Sequence, residues 1–167
     1  MKAHKTMWLI VVVALALATL APPSAGAQVL TGEQLKKVVP DSFFYAGQTA
    51  SVQMRNSVGV KNSAGKFVLA GLVDTSGYST AIAEKYQGFL ITETKIGFDG
   101  RTLEPGAYGF GFREGKFLVM NIAGAEVLSV ASMNDKELSH PVPLKLEKSD
   151  AGYRLYAGRN YVTVKTD

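Results

Sequence analysis

The sequence predicts an all-β protein, an antiparallel β-sandwich (alternative: a small β-barrel) with a short N-terminal helix. Three observations predict it. Beyond Ser42, apolar and polar residues alternate with the period of two that a strand with one wet face requires. Turn signals from Asn62-Ser63-Ala64-Gly65 to Asp150-Ala151-Gly152 cut these runs into short strands, as in sandwiches and barrels. No long helical pattern alternates with the strands, which removes the parallel α/β class.

Ahead of the strands, residues 1–27 carry the pattern of a secretory signal peptide. Lys2, His4 and Lys5 make a basic start, Met7 to Leu20 an apolar run, and Ala25-Gly26-Ala27 the small residues of a cleavage site. That run of 14 residues falls short of the roughly 20 that a bilayer-crossing helix needs. Pro22 and Pro23 break the helix behind it. The expected product begins at Gln28 and forms one β-rich domain, 28–167, periplasmic or secreted, with no stable membrane span. It is long enough to bury a core, and with no cysteine in the chain, hydrophobic packing has to carry its stability.

The helix comes first in that domain. Thr31 is an N-cap, Gln34 completes a capping box, and Leu30 and Leu35 stand where a hydrophobic staple needs them. Leu35, Val38 and Val39 form an apolar face, and Pro40 stops the helix, so it should pack on the domain as a lid or plug. Val52, Met54, Val58 and Val60 then alternate with polar neighbours as a strand with one wet face. Lys66 to Val73 is almost wholly apolar, which marks a central strand or one buried on both faces. After a turn at Asp74 to Gly77, Thr80 to Tyr86 reads as a helical turn capped by Thr80.

Strands resume over Phe89–Thr94 and Ile96–Phe98, turning at Asp99-Gly100. Leu103-Glu104-Pro105-Gly106 launches Ala107 to Phe112, where Tyr108, Phe110 and Phe112 share one face. Gly109 and Gly111 share the other face, a pattern that calls for a large ring or another backbone close against them. Arg113 to Lys116 turns the chain into Phe117–Ile122, and Val127–Ala131, Leu144–Glu147, Tyr153–Tyr156 and Tyr161–Lys165 complete the strands. Pro141 and Pro143 confine the stretch around Val142 to a sheet edge or a linker.

Chemistry is scarce. The formal net charge of +4 falls to about +2 without Lys2 and Lys5, and its basic residues are dispersed, which argues against nucleic acid as a partner. His140 is the one histidine beyond the leader, too few for a structural or catalytic zinc site, and no Asp-rich calcium loop occurs. No metal and no cofactor is expected. A serine hydrolase built on His140 lacks a Gly-x-Ser-x-Gly elbow. Asp74-Thr75-Ser76-Gly77 follows an apolar strand as the aspartic-protease triplet does, but Ser76 displaces the glycine and no second copy exists, so a peptidase dyad would require a homodimer that brings two Asp74 together; the spacing favours an Asx turn. Asp99, Glu104, Glu114 and Glu126 sit beside turns, as solvated loop charges do. Tyr108, Phe110 and Phe112 are the candidate ligand-binding residues, able to line a pocket for a small apolar molecule or to serve as plain core.

The segment Leu103-Glu104-Pro105-Gly106-Ala107-Tyr108 resembles the Leu-Pro-x-Gly-x-Tyr stretch of many secreted bacterial β-sandwich domains, among them uncharacterised small exported proteins of unknown function. That resemblance implies a β-sandwich and an exported protein, and it carries no catalytic residue to any position here. The expectation is a non-catalytic binding or structural module of the bacterial cell envelope, not an enzyme, with an unknown protein as partner. The alternative is a carrier of a small apolar ligand in a barrel cavity.

Overall fold

The computed structural model describes residues 26–166. Apart from Gly26 and Ala27, the leader expected over 1–27 lies outside the described residues. The chain runs β1 (Gln28–Val29), α1 (Gly32–Val38), β2 (Ser42–Tyr45), β3 (Gln48–Lys61), β4 (Phe67–Val73), α2 (Thr80–Ala83) and β5 (Gly88–Thr92). It continues through β6 (Ile96–Phe98), β7 (Arg101–Leu103), β8 (Gly106–Arg113), β9 (Lys116–Asn121), β10 (Glu126–Ala131) and β11 (Met133–Asn134). Three strands close it: β12 (Val142–Ser149), β13 (Gly152–Gly158) and β14 (Asn160–Thr166). None of the described helices is long and apolar enough to cross a membrane.

Local chemistry sets the elements. At the start of α1 the Thr31 backbone N–H donates to Gln34 Oε1 at 2.9 Å, which satisfies a donor the helix would leave bare. Leu30 and Leu35, the staple pair, are both buried, and both come down on Gly59 of β3. A Cβ at Gly59 would stand 3.1 Å from Leu30 Cδ1 and 3.2 Å from Leu35 Cδ2, so the bare backbone there is what lets α1 sit close. The hairpins β6–β7 and β8–β9 turn at Asp99-Gly100 and Glu114-Gly115, with φ of 44° and 77° and of 51° and 73°. Positive φ at both central residues is the turn whose twist matches antiparallel strands.

All strand pairs are antiparallel and fall into two sheets. The larger has the order β1-β3-β4-β5-β8-β9-β10, with β2 paired to β3; the smaller has β12-β13-β14-β6-β7, with β11 paired to β14. Neither order returns on itself, so the two sheets form a sandwich and the barrel alternative is overturned. The physical reason is that the inner faces of both sheets are apolar and fill each other. Val68, Ala70, Leu90, Phe110 and Val119 of the larger sheet meet Phe98, Leu155, Val162 and Val164 of the smaller. As its nearly continuous apolar run predicts, β4 is central, between β3 and β5, and turns Leu69 and Val73 into a second core on the opposite face.

That second core seals the larger sheet's outer face. The β2–β3 hairpin, α1 and the segment around α2 contribute Phe43, Leu35, Tyr45, Tyr78 and Tyr86 over Phe89 and Met120 of the sheet. β3 supplies both layers because it bends: its pairing with β4 shifts register between Val52 and Ser57. Ser57 Oγ donates to the Gln53 carbonyl at 3.2 Å across this bend, and Asn56 Nδ2 to Gln53 Oε1 at 2.8 Å.

Here the glycines of β8 find the close neighbours their pattern calls for. A Cβ at Gly109 would stand 2.6 Å from the Tyr45 ring, and one at Gly111 would collide with the Lys85 carbonyl. Two details differ from expectation. Ser79, not Thr80, caps the helical turn, and although Asn134-Asp135 predicts a turn, the dipeptide Met133–Asn134 is a short strand. Pairing with β14 draws that dipeptide onto the sheet, and its turn signal belongs to Asp135 just after it. β12 is the edge strand that Pro141 and Pro143 require, with its register broken between Val142 and Lys145.

Candidate functional site

The residues singled out from the sequence do not converge. Phe110 is fully buried and Phe112 nearly so, each packed with Phe117 at ring separations of 5.7 Å and 5.0 Å. Tyr108 is half-buried against the same core, its hydroxyl donating to the Glu104 carbonyl at 2.9 Å. The aromatic stripe thus faces the opposite sheet. Asp74 is exposed and accepts the Ser76 backbone N–H at 3.0 Å, an Asx turn; that bond holds its carboxyl below the usual carboxylate range. His140 is exposed on the loop before β12, its Nδ1 3.0 Å from Ser139 Oγ. No carboxylate is recorded on its other nitrogen among the described residues, and a nucleophile–base pair needs such a third group to orient it.

What the fold does assemble is a groove of about 750 Å³ on the outer face of the smaller sheet, closed on one side by residues 133–139. Strand register builds its floor. Lys145 of β12 lies opposite Tyr156 of β13, which lies opposite Tyr161 of β14. One pleat along, Glu147, Arg154 and Thr163 form a second such row. Because side chains alternate between faces, Tyr153, Leu155, Val162 and Val164 point into the core while these six point out.

The floor is linked side chain to side chain. The Arg154 guanidinium lies over the Tyr161 ring at 5.0 Å, and the Tyr156 and Tyr161 rings are tilted by 38° with centroids 5.0 Å apart. Lys145 Nζ stands 5.5 Å over Tyr156 and 3.0 Å from Glu147 Oε2. Arg154 also donates a long hydrogen bond of 3.5 Å to the Tyr156 hydroxyl. That bond, with the Tyr161 ring beside it, holds the guanidinium still more firmly protonated. No carboxylate pairs with Arg154 within 4.0 Å among the described residues, so most of its donors remain for a ligand.

The wall is tied down as firmly. Asp135 Oδ1 accepts the backbone N–H groups of Glu137 and Leu138 at 3.2 Å and 3.1 Å, and its Oδ2 accepts from the Tyr156 hydroxyl at 3.3 Å. Arg159 donates to the carbonyls of Asp135, Lys136 and Leu138. One arginine thereby pins the loop to the β13–β14 turn, and the loop in turn buries Tyr156.

Sequence reading missed this groove. A signal was present: Lys145 and Glu147, Arg154 and Tyr156, and Tyr161 and Thr163 occupy the polar phase of strands whose other phase is apolar. Aromatic rings in a solvent-facing phase mark a contact surface, whereas the apolar phase marks core. No family model, curated protein or solved structure matches the chain; the site therefore stands on its own geometry.

Proposed function

We propose that the chain is an exported, non-catalytic binding module of the bacterial cell envelope and that the groove over β12–β14 is its binding surface. The observation that carries this reading is the preorganised groove itself, whose floor and wall are held by hydrogen bonds within the protein. A surface already fixed in shape loses little freedom when it takes a ligand. The export half rests on the leader pattern of residues 1–27. The non-catalytic half rests on how the candidate groups lie, Asp74 in an exposed turn and His140 beside Ser139 without an orienting carboxylate.

The test is expression of the full chain with a C-terminal tag in a bacterial host, followed by intact-mass measurement and assays on ester, peptide and glycosidic substrates. The expected product lies outside the cytoplasm, starts at Gln28 and turns over none of them. Retention in the cytoplasm with residues 1–27 intact would defeat the export reading. Turnover that disappears on Ser139→Ala, His140→Ala or Asp74→Ala would defeat the non-catalytic one.

A further inference from the structure

We propose, building on the binding-module reading, that the groove over β12–β14 takes a neutral oligosaccharide. Size admits one: about 750 Å³ lies within the roughly 300–1,000 Å³ of ordinary small-molecule sites. Charge narrows the class. Three bases and four acids line the groove, with Lys145 next to Glu147 and Arg154 opposite Glu147 across the strands. A polyanion would meet Glu147 between Lys145 and Arg154, and a polycation would meet those two bases beside Glu147, each at a desolvation cost.

A neutral polyol avoids that conflict. Each sugar hydroxyl both donates and accepts, so the same group can donate a hydrogen bond to Glu147 or Asp135 and accept one from Arg154 or Lys145. Charge-assisted bonds of this kind are stronger than those between neutral groups. Tyr161, partly exposed in the groove beside Arg154, gives the C–H groups of a pyranose ring an apolar surface to rest on. A lipid or fatty chain finds little here, because the apolar lining besides the two rings is Met133, Leu138 and Ala151. The pinned loop and the stacked guanidinium hold these groups in place before a ligand arrives.

The experiment is an amide NMR titration of the exported product with cellohexaose, chitohexaose, maltohexaose and mannohexaose, beside an oligogalacturonate and an unstructured peptide. At least one neutral sugar is expected to shift residues 133–139 and β12–β14 selectively. Arg154→Ala and Tyr161→Ala should each weaken that binding by about tenfold or more, with unchanged spectra elsewhere as the sign of an intact fold. Groove shifts with the oligogalacturonate or the peptide and with none of the neutral sugars would overturn the ligand class while sparing the binding-module reading. An unresponsive groove with every probe would overturn both.

Discussion

The two sheets of this sandwich share one core but treat their outer faces in opposite ways. The larger sheet is sealed: α1, the bent-over hairpin and a tyrosine cluster press on it closely enough to demand glycine at 59, 109 and 111. The smaller sheet carries rows of charged and aromatic side chains outward, under a loop that covers only part of them. The contrast teaches where each kind of information lies. Glycine in one phase of an apolar strand marks a face that another layer covers, and Tyr, Arg and Lys in one phase mark a face left for contact.

Disrupting the shared core should do the most damage. Phe110→Ala removes a fully buried ring that packs on Phe112 and Phe117, and it should cost about 3–5 kcal/mol in a urea unfolding curve. Prying at the sealed face should cost less. Gly111→Ala drives a methyl group into the Lys85 carbonyl and Gly109→Ala drives one into the buried, stacked Tyr45 ring, and each should cost about 1–3 kcal/mol. Thr163→Ala on the open face of the smaller sheet should stay within about 0.5 kcal/mol. Equal costs at 111 and 163 would erase the distinction between the faces.

Alkaline pH probes the sealed face most strongly, with Tyr108 and Tyr153 of the shared core raised by burial as well. Burial pushes the hydroxyls of Tyr45, Tyr78 and Tyr86 above their ordinary value of 10.0. In the unfolded chain these groups ionise near that value while the folded protein keeps their protons. Stability is therefore complete below about pH 10 and falls as pH rises beyond it. Urea midpoints measured up the alkaline range should drop, and Tyr86→Phe should flatten the drop.

Single hydroxyl deletions sharpen the point with the smallest effects. The Tyr78 hydroxyl donates at 3.1 Å toward the carbonyls of Tyr45 and Gln48, so Tyr78→Phe should cost about 1 kcal/mol. The Tyr86 hydroxyl is buried with no hydrogen-bond partner among the described residues. Tyr86→Phe should therefore be neutral or stabilising by up to about 1 kcal/mol, the opposite sign within one cluster. Thermal or urea unfolding of the two variants side by side decides it.

Much of the fold was legible because it is local. The capping box at Thr31 and Gln34, the turn at Glu114-Gly115, the central β4 and the glycine face of β8 each follow from neighbours in sequence. The binding surface was not legible, because it is made by register. Lys145, Tyr156 and Tyr161 become neighbours only once β12, β13 and β14 pair, and Arg159 reaches residues 135–138 only across the β13–β14 turn. Tyr108, Phe110 and Phe112 left two readings open for the complementary reason: a row of rings reads the same whether a cavity or a second sheet faces it, and here a second sheet packs against it.

Methionine oxidation tests the contrast between the sealed and the open face most directly. Met120 is 2% exposed beneath Tyr45, whose hydroxyl lies 3.2 Å from its sulfur, whereas Met133 beside the groove is 61% exposed. Under dilute peroxide followed by peptide mass spectrometry, Met133 should form the sulfoxide rapidly while Met120 stays intact in the folded protein. Oxidation of both at equal rates would mean that the larger sheet's outer layer does not seal it.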